Sequence, residues 1–269
     1  MSAPVPLRDA STVVLVRDSD AGIEVFLQRR VEQMAFAGGM TVFPGGGVDP
    51  RDRDADIAWV GPDVDFWADV FATDAASARA LVCAAVRETF EECGVLLAGT
   101  ADDVHPDPSS LFEARAGLVA KELSFAQFLA DEGLVLRADL LSPLAHWITP
   151  TNERRRYDTR FFLAVLPAGH RADGETSEAA ETKWQTAADA VADWTSGGHF
   201  LLPPTWTQLK YIAGFDTVAD LIAAPRTITP IQPSVSDGEG ILGLGFADSD
   251  SYLAALGDGR LDRLKGAAG

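Results

Sequence analysis

The chain of 269 residues contains 40 Asp and Glu against 22 Lys and Arg, which gives a formal net charge of -18. Its 47% hydrophobic and 23% charged residues are typical of a folded globular protein and exclude a wholly disordered chain. The acidity argues against a protein that binds nucleic acid or an anionic membrane through its overall charge.

Alternating apolar and polar residues predict a β-hairpin at the start of the chain. Its strands cover residues 11–17 and 23–30, and the turn-forming sequence Asp-Ser-Asp-Ala-Gly lies between them. A third strand at residues 41–43 leads into Pro-Gly-Gly-Gly at residues 44–47. Glycines there allow unusual backbone angles and a close approach to the main chain.

An acidic stretch, residues 49–74, follows and is predicted to be an inserted loop with one short helix. It contains three aromatic residues, Trp59, Phe66 and Trp67, which would form an exposed apolar patch unless they pack against something. They indicate either a lid or a contact in a homodimer.

The strongest helical pattern begins at Asp74, a suitable N-cap, and continues with apolar residues at spacings of three and four until Gly94 ends it. Further helices are predicted at residues 124–131, 187–194, 204–213 and up to 224, the last one capped by Asp216, and strands at residues 145–149 and 160–165. After Pro225 the composition changes to Pro, Gly, Asp and Ser, which predicts a tail that packs on the domain or extends away from it.

Other features of the sequence favour a cytoplasmic protein. Cys83 and Cys93 are too few for a disulfide scaffold. The first ten residues lack the pattern of a secretion signal, and no stretch approaches the roughly 18 apolar residues that a membrane helix needs. We therefore expect neither a membrane nor a nucleic acid as partner.

Three carboxylates share one face of the strongest helix, because Glu88, Glu91 and Glu92 are spaced at i, i+3 and i+4. Like charges at this spacing repel each other unless a cation lies between them. Hard oxygen ligands suit Mg²⁺ or Mn²⁺. The alternative is a solvated acidic face in which Arg87 pairs with Glu91.

Residues 87–95, Arg-Glu-Thr-Phe-Glu-Glu-Cys-Gly-Val, resemble the second half of the Nudix box, the signature of the Nudix hydrolase superfamily. The first half of the box is similar to Phe-Pro-Gly-Gly at residues 43–46. Counting from Gly46 places Asp52 at the acidic position of that half, whereas counting back from Arg87 places Arg79 there. Between Asp52 and Arg87 lie 34 residues instead of the family's seven, so an insertion splits the box.

The split box resembles that of the coenzyme A diphosphatase branch of this superfamily, which carries a long insertion within the box. Trp-Ile-Thr-Pro at residues 147–150, Arg-Arg-Tyr-Asp-Thr at residues 155–159 and Leu-Pro-Pro-Thr at residues 202–205 also resemble that branch. The resemblance implies a Nudix domain over residues 8–225 with an insertion at about 53–78, followed by a C-terminal extension over residues 226–269. It also implies an α/β fold, an α/β/α sandwich around a mixed sheet with extra C-terminal helices.

The resemblance further implies a divalent-metal site and a general base. The implied metal ligands are Glu88, Glu92, the backbone carbonyl of Gly46, and Glu91 unless Arg87 holds its carboxylate. The base is either Glu88 or an acid on a distant loop. Residues 173–181 form an acidic segment that supplies the distal candidates, Glu178 and Glu181, although the same segment also fits a simple solvated turn.

The implied reaction is hydrolysis of a nucleoside diphosphate linked to another moiety. Coenzyme A or acyl-coenzyme A, cleaved to 3',5'-ADP and a phosphopantetheine product, is the substrate of the branch. NADH or ADP-ribose, or a ligand-binding module without turnover, are the alternatives. The candidates for holding phosphates are two groups of arginines at strand ends, Arg29 and Arg30 in one and Arg154, Arg155 and Arg156 in the other, with solvent-facing side chains as the alternative. Tyr157, Trp147 and Phe36 are candidates for stacking on adenine.

Overall fold

The computed structural model describes residues 5–32, 37–53, 57–198, 200–236 and 243–256. The predicted hairpin is present as β1 (Leu7–Ser19) and β2 (Gly22–Arg30), paired antiparallel with Val16 opposite Val25. Gly22 ends the turn with a φ of 116°, a backbone angle that favours glycine. Phe36, one of the proposed stacking residues, lies outside the described residues.

The main sheet is mixed and has eight strands. Its path runs β10 (Ala179–Thr186), β2, β1, β9 (Arg156–Val165), β8 (Leu141–Ile148) and β11 (Pro230–Ile231), with β3 (Thr41–Val42) beside β2 and β4 (Gly45–Gly47) beside β1. The β1–β9 and β8–β11 pairs are parallel, and the other pairs are antiparallel. Two smaller sheets join β5 (Trp59–Val60), β7 (Val135–Arg137) and β6 (Ala98–Gly99), and β12 (Ser234–Val235) with β13 (Leu244–Gly245).

Helices cover both faces of the main sheet. In chain order they are α1 (Pro50–Arg53), α2 (Val64–Phe71), α3 (Ala75–Cys93), α4 (Phe112–Val119), α5 (Phe125–Asp131), α6 (Ala187–Ser196), α7 (Pro203–Ile212), α8 (Val218–Ala223) and α9 (Ser249–Ala254). The first core contains Val13 and Leu15 of β1 with side chains of α2 to α5, and the second contains Val14 and Val16 with side chains of α6 to α9. Because β1 is buried on both faces, its centre is a continuous apolar run. The predicted α/β/α sandwich is confirmed.

Helix α3 has the ends that the sequence predicts. The Asp74 side chain accepts a hydrogen bond from the backbone N–H of Ser77, and Gly94 ends the helix in the left-handed conformation with a φ of 70°. The hydroxyl of Ser11 on β1 donates to the carbonyl oxygen of Leu81 at 2.7 Å, and both groups are buried. This bond fixes the helix against the sheet next to β4, which consists of three glycines and is called the glycine strand below.

The segment predicted as an inserted loop is more ordered than expected. It contains α1, β5 and α2, and α2 places Trp67 and Phe71 in the first core. Both rings contact Phe162 of β9, with centroids 5.5 Å and 5.2 Å away. Trp67 is therefore not available for the lid or dimer contact expected from the sequence, because it is fully buried within its own domain. Phe66 on the opposite side of α2 is 41% exposed.

Two further expectations need correction. The acidic turn ends earlier than expected, because β10 begins at Ala179 and pairs with β2 at the sheet edge. The cap of α8 is Thr217 and not Asp216, since the Thr217 side chain accepts the N–H of Asp220.

Where the extension beyond residue 225 is described, it packs on the domain. Strand β11 extends the main sheet, and Tyr252 of α9 stacks on Trp194 with ring centroids 5.1 Å apart. None of the helices in the described ranges is long and apolar enough to span a membrane.

The insertion should contribute strongly to stability. We expect Phe71→Ala to lower the free energy of unfolding by about 3–5 kcal/mol, because it leaves a cavity against Phe162 and Trp67. Phe66→Ala, on the exposed side of the same helix, should cost less than about 1 kcal/mol. Urea unfolding of both variants measures the difference, and equal losses would contradict a core role for Phe71.

Candidate active site

A cleft of about 1110 Å³ opens over one end of the main sheet. Its floor is formed by alternate residues of two strands, with Ala10 and Thr12 of β1 beside Thr159 of β9. These side chains are small, which gives the cleft its depth. Pro233 and Leu244, from the extension, also line the cleft.

One wall is formed where the glycine strand β4 lies against α3. The Gly45 N–H donates to Glu92 Oε2 at 2.8 Å. A β-carbon on Gly46 would lie 2.5 Å from Glu88 Oε2, so the Glu88 carboxylate occupies the space that a side chain would need. A side chain is excluded at Gly45 as well, because an added β-carbon would lie 2.4 Å from the carbonyl oxygen of Ser11. The glycines of the first half of the box thus allow contact with the glutamates of the second half.

Arg87 joins the two halves from inside. It is 8% exposed, and its guanidinium donates to Glu88 Oε1 at 2.7 Å and to Glu91 Oε1 at 3.2 Å. It also donates to the carbonyl oxygen of Gly47 at 2.9 Å and to Asp52 Oδ2 at 3.0 Å. Burial alone lowers the pKa of Arg87, but the surrounding carboxylates, Glu88 first, outweigh it and raise that pKa, so the side chain is charged.

Of the two residues that the counts place at the acidic position of the first half, Asp52 contacts Arg87 and Arg79 does not. Asp52 is 2% exposed and bonds to Arg87, the arginine of the second half of the box. Arg79 lies elsewhere, with its guanidinium 5.0 Å from the Trp59 ring centroid and a hydrogen bond to the carbonyl oxygen of Ile57 at 3.3 Å. The count from Gly46 therefore identifies the partner of Arg87.

The glutamates are held in an environment that opposes their negative charge. Burial raises the pKa of Glu88 to about 7, against a smaller lowering by Arg87 and a further raising by Glu91. Burial, with Glu88 as the next cause, raises the pKa of Glu92 well above its ordinary value, and burial also raises the pKa of Glu91. A cation placed between Glu88 and Glu92 would relieve this repulsion and the cost of burial.

The donors fit a hard divalent cation that keeps part of its water. Glu88 and Glu92 would supply carboxylate oxygens, and the backbone of Gly46 lies against Glu88. Among the described residues no three acidic, His or Cys side chains converge into a closed metal cage. Mg²⁺ is commonly held by one or two carboxylates with waters and substrate phosphates. Glu91 is bonded to Arg87, which favours the sequence alternative in which Arg87 holds Glu91.

The two distal acids expected from the sequence are placed differently. Glu178 lines the cleft and pairs with Arg30, with Oε2 and Nη2 2.8 Å apart. Its charge is one of the causes that raise the pKa of Glu92. Glu181 and Arg29 form an exposed pair at 3.4 Å and do not line the cleft. The register shift between Ala179 and Glu181 in β10 separates the two glutamates.

Some of the arginines expected to hold phosphates line the cleft and others do not. Arg155, Tyr157 and Trp147 line the cleft together with Arg30. Arg156 is buried outside it and donates to the carbonyl oxygens of residues 149 and 150. Sequence reasoning missed four other cations that line the cleft, namely Arg8, Arg51, Arg53 and Lys121. No motif marks them, since each reaches the cleft only through the packing of its element.

The chain is similar in sequence and in fold to known Nudix proteins. The family model described as NUDT19 Nudix domain matches residues 68–212. The protein named acyl-coenzyme A diphosphatase NUDT19 from Xenopus laevis is 24% identical over 243 residues, covering 76% of this chain and 63% of that protein. The human protein of the same name is 26% identical over 239 residues, covering 74% of this chain and 63% of its own length.

A solved structure, the crystal structure of a NUDIX hydrolase from Alicyclobacillus acidocaldarius, is similar in fold. Its sequence is 26% identical, its TM-score is 0.66, and the similarity covers 84% of this chain and 99% of that one. This chain thus spans somewhat less than two thirds of the named diphosphatases but nearly all of the solved structure.

The contact between Gly46 and Glu88 can be tested directly. We expect Gly46→Ala to displace the Glu88 carboxylate and to weaken Mn²⁺ binding by at least about tenfold, as changes beside a metal ligand do. Gly47→Ala is the matched control, because the nearest atom to its added carbon, the carbonyl oxygen of Asp9, is 4.0 Å away. Calorimetric titration with Mn²⁺ compares the variants, and equal affinities would contradict a metal role for this contact.

Proposed function

The chain belongs to the Nudix family described as the NUDT19 Nudix domain, and from this membership we propose that it is a divalent-metal-dependent hydrolase of coenzyme A or acyl-coenzyme A. The diphosphate is cleaved to 3',5'-ADP and phosphopantetheine or its acyl form. The metal is Mg²⁺ or Mn²⁺, bound by Glu88, Glu92 and the carbonyl of Gly46. The named diphosphatases that resemble this chain support the choice of substrate.

The observation that carries the proposal is the contact of the glycine strand with α3. An insertion separates the two halves of the box in sequence, yet β4 and α3 meet at the Gly46–Glu88 and Gly45–Glu92 contacts. Buried carboxylates of raised pKa have no structural advantage over apolar side chains at such a position. They are accounted for by a cation that binds between them.

A bound divalent cation supplies positive charge for the diphosphate oxygens and lowers the pKa of an attacking water. The protein side chains do the rest. Arg87 holds Glu88 and Glu91 in fixed orientations, and Asp52 holds Arg87. Arg30 orients Glu178 at the cleft wall. Glu178 is the general base in this proposal, because its side chain is 46% exposed and lines the cleft, whereas that of Glu88 is only 13% exposed.

The dimensions of the cleft support a large substrate. Its volume of about 1110 Å³ slightly exceeds the roughly 300–1000 Å³ of most ligand pockets, which leaves space for a nucleotide that carries a long second moiety. Tyr157 lines it with a partly exposed ring on which adenine can stack, whereas the Trp147 ring is buried and packs edge-on against Phe246.

A substrate screen with Mg²⁺ and Mn²⁺ tests the proposal. Coenzyme A, acetyl-coenzyme A, NADH, ADP-ribose and nucleoside triphosphates are compared by product analysis. We expect Glu92→Gln to lower metal-dependent turnover of coenzyme A by at least about 100-fold while the fold is kept, because the amide can still accept from Gly45 but carries no charge. Full activity of that variant would overturn the metal site, and cleavage of NADH but not coenzyme A would overturn the substrate.

The role of Glu178 has a matched control in the same segment. Each of Glu178 and Glu181 pairs with an arginine of β2, but only Glu178 lines the cleft. We expect Glu178→Gln to lower kcat by about 100-fold or more, the usual effect of losing a general base. Glu181→Gln should leave kcat within about twofold. Equal rates in the two variants would contradict the assignment and leave Glu88 as the candidate.

A further inference from the structure

Most cations in the described part of the chain already have a partner. Arg17, Arg30, Arg53 and Arg160, for example, pair with carboxylates. Among the described Lys and Arg side chains, five have no hydrogen bond, ion pair or ring contact, namely Arg8, Lys121, Arg154, Arg155 and Arg171. Three of these five, Arg8, Lys121 and Arg155, line the cleft. In a chain of net charge -18 this concentration of unpaired cations points to an anionic ligand there.

Arg8 and Arg155 lie at the same end of the cleft. Arg8 on β1 is directly opposite Tyr157 on β9, and these parallel strands are about 4.8 Å apart. Arg155 is the residue immediately before β9 and lies two positions before Tyr157. Arg8, Arg155 and Tyr157 are therefore near neighbours at one end of the paired strands, and all three line the cleft.

This end of the cleft is separate from the glutamates. Ser11 is opposite Gly46 in the β1–β4 pair, and Arg8 lies three residues earlier on β1. At about 3.3 Å per residue the separation along the strand is about 10 Å. An anion bound at Arg8 is thus a different group from the diphosphate at Glu88 and Glu92. A ribose that carries phosphates on its 3' and 5' oxygens can reach both places.

The nearby acids do not neutralise this pair. Asp9 also lines the cleft, but it is bonded to Arg53 and lies 3.7 Å from Arg160. Glu153 is exposed at the rim and forms no ion pair in the described structure. Arg8 and Arg155 are consequently free to bind a ligand.

We propose that Arg8 and Arg155 form a second anion subsite, which binds a phosphate monoester of the substrate apart from the diphosphate that is cleaved. The inference rests on the proposed function and names the part of the substrate that determines specificity. A monoester carries nearly two negative charges at pH 7, and arginine binds phosphate oxygens with paired hydrogen bonds. The 3'-phosphate of coenzyme A is such a group. Dephospho-coenzyme A, NADH and ADP-ribose lack it and gain nothing from this pair.

The test compares coenzyme A with dephospho-coenzyme A as substrates. We expect the unmodified protein to prefer coenzyme A in kcat/KM, and Arg8→Gln and Arg155→Gln each to lower kcat/KM for coenzyme A by about tenfold. Neither substitution should change kcat/KM for dephospho-coenzyme A by more than about twofold. Arg154→Gln is the matched control, because Arg154 is an exposed, unpaired neighbour that does not line the cleft.

A binding measurement separates failure of the subsite from failure of the proposed function. Calorimetry compares 3',5'-ADP with 5'-AMP, and we expect the tighter binding of 3',5'-ADP to be lost in the Arg8→Gln, Arg155→Gln double variant. If this preference is present and lost as expected while coenzyme A is not cleaved, the subsite stands and the substrate assignment fails. If coenzyme A is cleaved but both variants lose activity equally on both substrates, or lose none, the subsite is overturned.

Discussion

The buried guanidinium of Arg87 is the interaction on which the arrangement of the site depends. It contacts Asp52, Glu88, Glu91 and the carbonyl of Gly47, groups that come from both sides of the insertion. A buried cation is tolerated only where carboxylates and hydrogen bonds compensate for its lost hydration. Each of these groups is therefore fixed by the others, and the glutamates of α3 face the glycines of β4 in one orientation.

The insertion lengthens the chain within the box without disturbing this arrangement. Lengthening a loop adds little entropic cost to closing it, and here the added residues also contribute apolar area to the core through Trp67 and Phe71. The register of β4 on β1 and the bond from Ser11 to Leu81 fix the two halves independently of the length between them. A sequence pattern with constant spacing is thus one solution among several for the same three-dimensional contact.

Local signals made the best sequence predictions. The ends of α3 follow from Asp74 and Gly94, because a cap depends on residues within one turn. The β1–β2 hairpin follows from alternation and a turn, and the glutamates follow from helical spacing. Strand β10 was not predicted, because its apolar residues are few and its pairing with β2 supplies the order. The difference between Glu178 and Glu181, and the position of Arg8, depend on contacts between distant segments, which no local pattern encodes.

The extension beyond residue 225 forms part of both the main sheet and the cleft. Pro233 and Leu244 line the cleft, although they follow residue 212, the last residue that the family model matches. Strand β11, which holds the extension on β8, begins only at Pro230. A chain shortened at residue 225 would keep the glutamates and Arg87 but would lose β11, the α9 side chains of the second core and the cleft residues Pro233 and Leu244. The residues that the family model matches and the residues that form the cleft are therefore different sets in this sequence.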